Sequence, residues 1–466
     1  MKTLKINLMH WSLIFLALTA QTIKPEMVLD ETFGAGGIVR GEESWFRALI
    51  QSNEKLIVIS YSRGNESFKC TCYNQNGLKD ESFKSYVQQG NNIGAFVLQE
   101  NAHFITAVNT CQYRMSDVNL YRFNLNGSFD ESFRNELKEG VSVSAIVVLQ
   151  DGSFIAAGST YKRGTEFRYL SRYNRDGSFD KYFVEPKNIG AFSSLLLQPD
   201  DKILAAGHSE LGSIITRYNS DGRPDESFGD KGQYVGPFQG SYNSLAIQSN
   251  GKIITVAYNH ENHHIISCLN QNGSLDRSFG SDENGFVNKG GWFRDLTLQP
   301  NGKILILADY HSMPSRCSML SCYNSNGTDD TTFGSHGANT LELPQNFHGL
   351  RFLFNSDTQT VTIAGFERLP NGTEQSMLIR YRTLTPAEAE ERRVAQEAAR
   401  IEAEMRDLMR VELLENCQIC LEEVAIQNLI ETECHHLFHP ACMNVWRTSG
   451  AAAANTCPVC RGVLPN

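Results

Sequence analysis

Between residues 27 and 382 the apolar residues fall in short runs broken by polar turns, a rhythm of brief β-strands rather than helices. An Asp-x-x-Phe tag punctuates the runs, with its aromatic at Phe33, Phe83, Phe133, Phe183, Phe228, Phe279 and Phe333. The spacings are 50, 50, 50, 45, 51 and 54 residues, so the segment is an array of seven like units. From the second tag onward an Asn-Gly or Asp-Gly type of turn precedes it, as in Tyr73-Asn74-Gln75-Asn76-Gly77 and Tyr323-Asn324-Ser325-Asn326-Gly327. Such turns supply the positive φ that a tight hairpin demands. A second turn lies upstream, within Leu197 to Gly207 and again within Leu298 to Leu307, so each unit is expected to hold about four strands.

A four-stranded unit of this size cannot bury both of its faces alone, whereas seven of them can cover one another radially. The expected fold is mainly β, a seven-bladed β-propeller over residues 27–382. The first tag, Leu29 to Val39, has no strands before it, and the last strand set, ending at Met377 to Tyr381, has no tag after it. Each end supplies what the other lacks, which predicts that the N-terminal strand completes the seventh blade.

The tag Phe reads as a core plug, and the tag Asp as a turn or backbone acceptor. His260, His263 and His264 read as a solvated hairpin tip rather than a metal site. Trp45-Phe46-Arg47 and Trp292-Phe293-Arg294 open equivalent strands, where core packing is favoured over a binding face. The first six cysteines, Cys70, Cys72, Cys111, Cys268, Cys317 and Cys322, have no disulfide-like spacing and read as small hydrophobes in strands. The repeat tag Leu29-Asp30-Glu31-Thr32-Phe33-Gly34-Ala35-Gly36-Gly37 resembles the delta-60 repeat proteins of bacteria. Gly follows the tag Phe at Gly34, Gly229, Gly280 and Gly334, but Lys84, Arg134 and Val184 replace it. The resemblance implies a fold and no chemistry.

After Tyr381 the pattern changes to helical formers. Thr385-Pro386-Ala387-Glu388 is a capping box, and the spacing predicts a charged helical linker over 386–415, about 45 Å long at 1.5 Å per residue. Glu388 with Arg392 and Glu402 with Arg406 are favourable i to i+4 pairs. Val394, Ala398, Ile401, Met405 and Leu408 form a narrow heptad seam. It would serve either a weak homodimeric coiled coil or docking against a neighbouring domain. Nine acidic and five basic residues in this linker exclude an integral membrane span there.

The chain of 466 residues carries a net charge of -10, without the basic excess that nucleic acid requires. Lys2 and Lys5, the apolar run from Leu8 to Ala20 and the small residue Ala20 compose a signal peptide-like segment over residues 1–20.

The remaining six cysteines lie between 417 and 460, and residues 416–466 read as a zinc finger. Cys417-x2-Cys420, Cys434-x-His436-x2-His439-x2-Cys442 and Cys457-x2-Cys460 make eight ligands in four pairs. Thiolate and imidazole suit zinc, and two tetrahedral structural sites consume all eight, leaving no position for a catalytic water. His435 competes with His436 for one position. The spacing of residues 417–461 resembles a RING finger ubiquitin ligase of the two-histidine kind. That resemblance implies two structural zinc ions, one on Cys417, Cys420, His439 and Cys442, the other on Cys434, His436, Cys457 and Cys460. It also implies that Ile419, Trp446 and Pro458 grip a ubiquitin-conjugating enzyme. Arg461 would be the catalytic linchpin touching that enzyme and ubiquitin.

The function expected is therefore a RING-type ubiquitin-protein transferase, acting without a covalent intermediate and recruiting a protein substrate through its propeller. A secretory signal points outward whereas ubiquitin transfer needs reduced thiolates and a eukaryotic cytosol. A bacterial protein exported into a eukaryotic host reconciles them, and a cytoplasmic protein is the alternative. The competing function is an exported β-propeller scaffold whose zinc finger is a structural or interaction module only.

Overall fold

A computed structural model describes residues 27–403, apart from short interruptions, and residues 430–431 and 437–438. The signal-like segment 1–20 lies outside the described residues. The chain divides into two compact units, Met1–Leu384 and Thr385–Asn466.

Among the described residues, the first unit is mainly β and holds seven antiparallel sheets, one per repeat, in a propeller-like series. Their first strands are Trp45–Ser52, Asn92–Gln99, Val141–Val148, Ala191–Leu197, Gly240–Ile247, Trp292–Leu298 and Phe347–Asn355. Each first strand packs on the next, and the last returns to Trp45–Ser52. The seventh sheet takes two strands from the start of the unit. Met27–Leu29 and Ile38–Arg40 both pair antiparallel with Glu374–Thr383.

Each first strand also carries one register shift, at Arg47, Gly94, Ser144, Ser193, Asn243, Arg294 and Leu350. A bulge bends a strand and raises its twist, so one per sheet gives all seven inner strands the same curvature.

The first, fourth, fifth and sixth sheets have four strands; the second and third have three, fewer than the expected four. In the second, Asn135 Oδ1 accepts from Leu120 N at 3.2 Å where a strand would pair. In the third, Arg168 N donates to Asn188 O, Gly190 N donates to Glu166 O and Phe167 bridges Ile189, but the pairing does not extend into a strand. Pro186, two residues upstream of Asn188, has no N–H to continue the ladder.

The core lies between consecutive sheets. Tyr173, Tyr218, Tyr242 and Tyr381 and the tag residues Phe33 and Phe228 are fully buried. Among the described residues, six tags are stapled to the next sheet by a backbone bond from the residue after the Phe. These bonds are Gly34 N to Asn76 O, Lys84 N to Asn126 O, Arg134 N to Asp176 O, Val184 N to Asp221 O, Gly229 N to Asn272 O and Gly280 N to Asn326 O. The staple uses only the backbone N–H, so it forms equally at Lys84, Arg134 and Val184, whereas Gly34, Gly229 and Gly280 adopt a positive φ in which a Cβ would meet nearby backbone. Cys70, Cys72, Cys268 and Cys322 are buried free thiols, as expected; the side chains of Cys111 and Cys317 lie outside the described residues.

In the second unit the described positions from 387 to 403 are helical. The capping box forms as read: Thr385 N and Oγ1 donate to Glu388 Oε2 at 2.8 Å each, and Glu388 N donates to Thr385 Oγ1 at 3.3 Å. Glu388 is thus turned back on the cap. Arg400 pairs with Glu397 at 2.6 Å, and Val394 of the seam is 52% exposed. Positions 404–415 of the expected linker lie outside the described residues. No described helix is long and apolar enough to cross a membrane.

Candidate functional site

The eight candidate ligands, Cys417, Cys420, Cys434, His436, His439, Cys442, Cys457 and Cys460, lie outside the described residues, as do Ile419, Trp446, Pro458 and Arg461. Two short strands among them are described. Ile430 pairs with Phe438 and Glu431 with Leu437 in an antiparallel hairpin. The five-residue connection between these strands contains Cys434, His435 and His436, and His439 follows directly after the second strand. A hairpin therefore brackets the middle of the ligand array. The donor set of six thiols and two imidazoles fits zinc in four-coordinate sites.

In the repeat unit the tag aspartates have a fuller role than turn acceptor, because their two oxygens divide the work. Asp80 Oδ1 accepts from Ser82 N at 3.0 Å, while Oδ2 accepts from Lys55 Nζ at 2.6 Å. Asp130 Oδ1 accepts from Ser132 N at 3.0 Å, and Oδ2 meets Arg122 Nε at 2.8 Å. Asp225 receives both kinds of cation, Lys202 Nζ at 2.8 Å and Arg217 Nε at 2.7 Å. Asp276 and Asp330 receive Lys252 and Lys303, each at 2.6 Å, and Asp180 pairs with Arg172 at 2.8 Å. Hydrogen bonding from Lys55 and then from Ser82 lowers the Asp80 carboxyl to about 2.

A compensating pattern follows. The third-strand residue before the closing aromatic or leucine is Cys72, Arg122, Arg172, Arg217, Cys268, Cys322 or Arg380. Where it is Cys, Lys55, Lys252 or Lys303 stands at or just before the start of the second strand; where it is Arg without such a Lys, that position is His103, Ser153 or Thr360. The arginines also reach forward: Arg122 Nη1 donates to Arg175 O, Arg217 Nη1 to Gln271 O at 2.6 Å and Arg380 Nη1 to Gln75 O. No acid–base or nucleophile constellation arises from these groups. They join sheets.

Two readings of this region are corrected. His264 lies in the strand His263–Leu269 and is fully buried, with Nδ1 3.2 Å from Gly291 O, so it is no solvated tip. It occupies an alternate position of a strand covered by the next sheet, where its ring lies 6.5 Å from Phe293. Trp292 is 40% exposed against Tyr258, with ring centroids 6.0 Å apart. Of its triplet, Phe293 packs on the core and Arg294 Nε and Nη2 bind Asp309 at 2.8 and 2.6 Å. The bulge at Arg294 shifts the alternation and leaves Trp292 at the sheet end, a cue that residue order does not carry. The side chains of Trp45, Phe46 and Arg47 lie outside the described residues.

Residues 415–461 match the family model described as Ring finger domain. The Domain of unknown function (DUF5122) beta-propeller model matches residues 115–133, 149–183, 198–228, 248–279 and 299–333. The E3 ubiquitin-protein ligase RNF181 of Mus musculus is 44% identical over 50 residues, covering 10% of this chain and 28% of that protein. The probable E3 ubiquitin-protein ligase RHC2A of Arabidopsis thaliana is 31% identical over 120 residues, covering 25% of this chain and 29% of that protein. This chain therefore spans under a third of the length of these relatives. The solved Dos1 propeller shares 13% identity over 72% of this chain and 78% of that one, with a TM-score of 0.46.

Proposed function

We propose that this chain is a RING-type ubiquitin-protein ligase built from a seven-bladed propeller over 27–382, a helical linker over 386–415 and a RING over 416–466. One observation carries the reading. The eight thiol and imidazole donors, Cys417 to Cys460, stand at RING spacing inside a segment that matches the RING model, and the apolar and cationic residues of a ligase surface stand among them.

Two zinc ions would be held, one by Cys417, Cys420, His439 and Cys442 and the other by Cys434, His436, Cys457 and Cys460. When bound they supply folding free energy, on the order of 10 kcal/mol each, to a segment too short for a core of its own. Ile419, Trp446 and Pro458 present an apolar patch to a ubiquitin-conjugating enzyme. Arg461 donates hydrogen bonds from its guanidinium fork to that enzyme and to ubiquitin. The thioester stays on the conjugating enzyme; this chain orients it toward the acceptor amine and forms no covalent bond with ubiquitin. The propeller holds the protein substrate, and the linker seam from Val394 to Leu408 joins two copies weakly.

The signal-like segment 1–20 fits export, and a bacterial-type repeat joined to a eukaryotic-type RING fits delivery into a host cytosol.

The test is discharge of ubiquitin from a panel of charged conjugating enzymes. Wild type accelerates discharge; Ile419→Ala loses enzyme binding; Arg461→Ala keeps binding and loses discharge. Zinc-loaded, monodisperse protein that accelerates none of the panel refutes the ligase and leaves a scaffold.

A further inference from the structure

The third sheet, one strand short, has an open cleft beside it. Where Pro186 halts the ladder, a cavity of about 330 Å³ remains, lined by Val141 of the first strand, Thr160 and Lys162 of the second, and Phe167 and Tyr169 of the third. The connections on either side add Lys138 and the run Glu185-Pro186-Lys187.

Charge and apolarity are arranged separately there. Val141, Phe167, Tyr169 and Pro186 supply apolar wall, and Tyr169 is 4% exposed. Lys138, Lys162 and Lys187 are exposed on the rim. Glu185, the one acid among the lining residues, is already engaged: Lys138 Nζ donates to Oε2 and Ser171 Oγ to Oε1. Lys138 also lies 4.5 Å above the Phe179 ring. Lys162 and Lys187 have no carboxylate partner among the described residues. Arg168 sends its guanidinium the other way, over Phe192 at 5.6 Å. Two cations with no carboxylate partner among the described residues, beside an aromatic floor, stand out on a chain of net charge -10. Tyr161 and Val184, adjacent in sequence to Lys162 and Glu185, are 52% and 39% exposed and extend the apolar surface.

We propose that this cleft binds a short acidic peptide segment, its apolar side chains seated on Phe167 and Tyr169 and its carboxylates on Lys162 and Lys187. A small inorganic anion has no use for the apolar wall, and an uncharged peptide has none for the lysines. The charge complement steers such a segment in and fixes its register more than it adds affinity. This deepens the substrate-holding role proposed for the propeller and rests on it.

The experiment uses the full chain and fluorescence anisotropy of a labelled peptide alternating Glu with Phe and Leu. Lys162→Glu with Lys187→Glu weakens binding by about tenfold or more, while Lys162→Arg with Lys187→Arg preserves it. All four substitutions are at exposed positions, so unchanged melting curves establish that the fold is intact. The same peptide with Gln for Glu binds about tenfold more weakly. Equal binding of the Glu and Gln peptides, or of wild type and the reversed variant, overturns the proposal. So does complete competition by inorganic phosphate near the peptide's own Kd, which identifies a small-anion site. Ubiquitin discharge without substrate is measured alongside. Loss of discharge with peptide binding intact counts against the ligase and leaves the cleft standing, whereas discharge without peptide binding removes the cleft alone.

Discussion

Leu29 lies opposite Tyr381 in an antiparallel ladder, so the first strand of the repeat unit is bonded to its last. Phe33, four residues on, is fully buried in the cluster that holds Leu56, Val58 and Leu378, spanning the first and seventh sheets. Deleting residues 21–40 therefore removes two strands and a core plug, and is expected to lower the melting midpoint by on the order of 10 °C or more. Removing residues 1–20 leaves the curve unchanged. Scanning calorimetry of the two truncations decides it, and equal midpoints would mean that this strand does not hold the ends together.

Gly177 and Gly372 share a backbone conformation, with φ of +84° and +82°, but have different neighbours. A Cβ at Gly177 would stand 2.0 Å from Arg134 O and 2.8 Å from the Phe133 ring, whereas one at Gly372 meets nothing within 4 Å. Gly372→Ala should cost about 1 kcal/mol for the left-handed backbone alone. Gly177→Ala should cost about 3 kcal/mol or more, because the staple between the second and third sheets must also shift. Urea midpoints of the two variants give the comparison.

The repeat period, the tag Phe, the closing strand and the helix cap were all legible because each is local or recurs at fixed spacing. Which cation holds each tag Asp was not. The partner of each tag Asp sits on another strand and changes chemistry between copies, so Lys55, Arg122 and Cys72 look unrelated until the strands align them. The same holds for Trp292 and His264, whose exposure depends on a bulge and on the neighbouring sheet rather than on their own segments. The RING finger could be read at once, since its cysteine and histidine spacing is written in sequence separation, and the hairpin Ile430–Glu431 with Leu437–Phe438 is the one described element within residues 415–461.

Because cations are shared unequally, identical substitutions should have unequal effects. Lys252 is the one cation on Asp276 among the described residues, Cys268 standing where other sheets have Arg. Asp225 retains Arg217 if Lys202 is lost. Lys252→Met is expected to cost about 1–2 kcal/mol and Lys202→Met under about 1 kcal/mol, both discounted for partly exposed ammonium groups. Denaturant midpoints at neutral pH test the order; a reversed order would mean that the two cations act independently of the carboxylate.

The same carboxylates set an acid limit. Asp80 is lowered to about 2, chiefly by hydrogen bonding from Lys55 and Ser82. For Asp225 burial alone would raise the pKa, but Lys202, Ser227 and Arg217 together outweigh it and hold the group low. A depressed folded-state pKa gives stability that is complete above the unfolded value of about 3.9 and is lost as pH falls through the folded value. The melting midpoint should therefore hold steady down to about pH 4 and then fall steeply toward pH 2. Lys55→Met should flatten part of that fall, since an unpaired Asp80 titrates closer to its unfolded value. An unchanged acid limb in this variant would exclude Asp80 as a contributor.

Zinc stoichiometry separates the proposed cross-braced arrangement from a single site. With alternate pairs sharing a metal, Cys434 and His436 belong to one ion while His439, only three residues further, belongs to the other. The hairpin at Ile430–Phe438 brackets the first of these pairs. Both ions are then needed to fix its ends, and losing either should unfold the whole finger. Elemental analysis is expected to give two zinc ions per chain, and Cys417→Ser and Cys434→Ser should each release both rather than one. The repeat unit, Met1–Leu384, forms a separate compact body, so its melting transition should persist in both variants. Retention of one zinc ion in either variant would show two independent sites, and a wild-type content of one would overturn the pairing altogether.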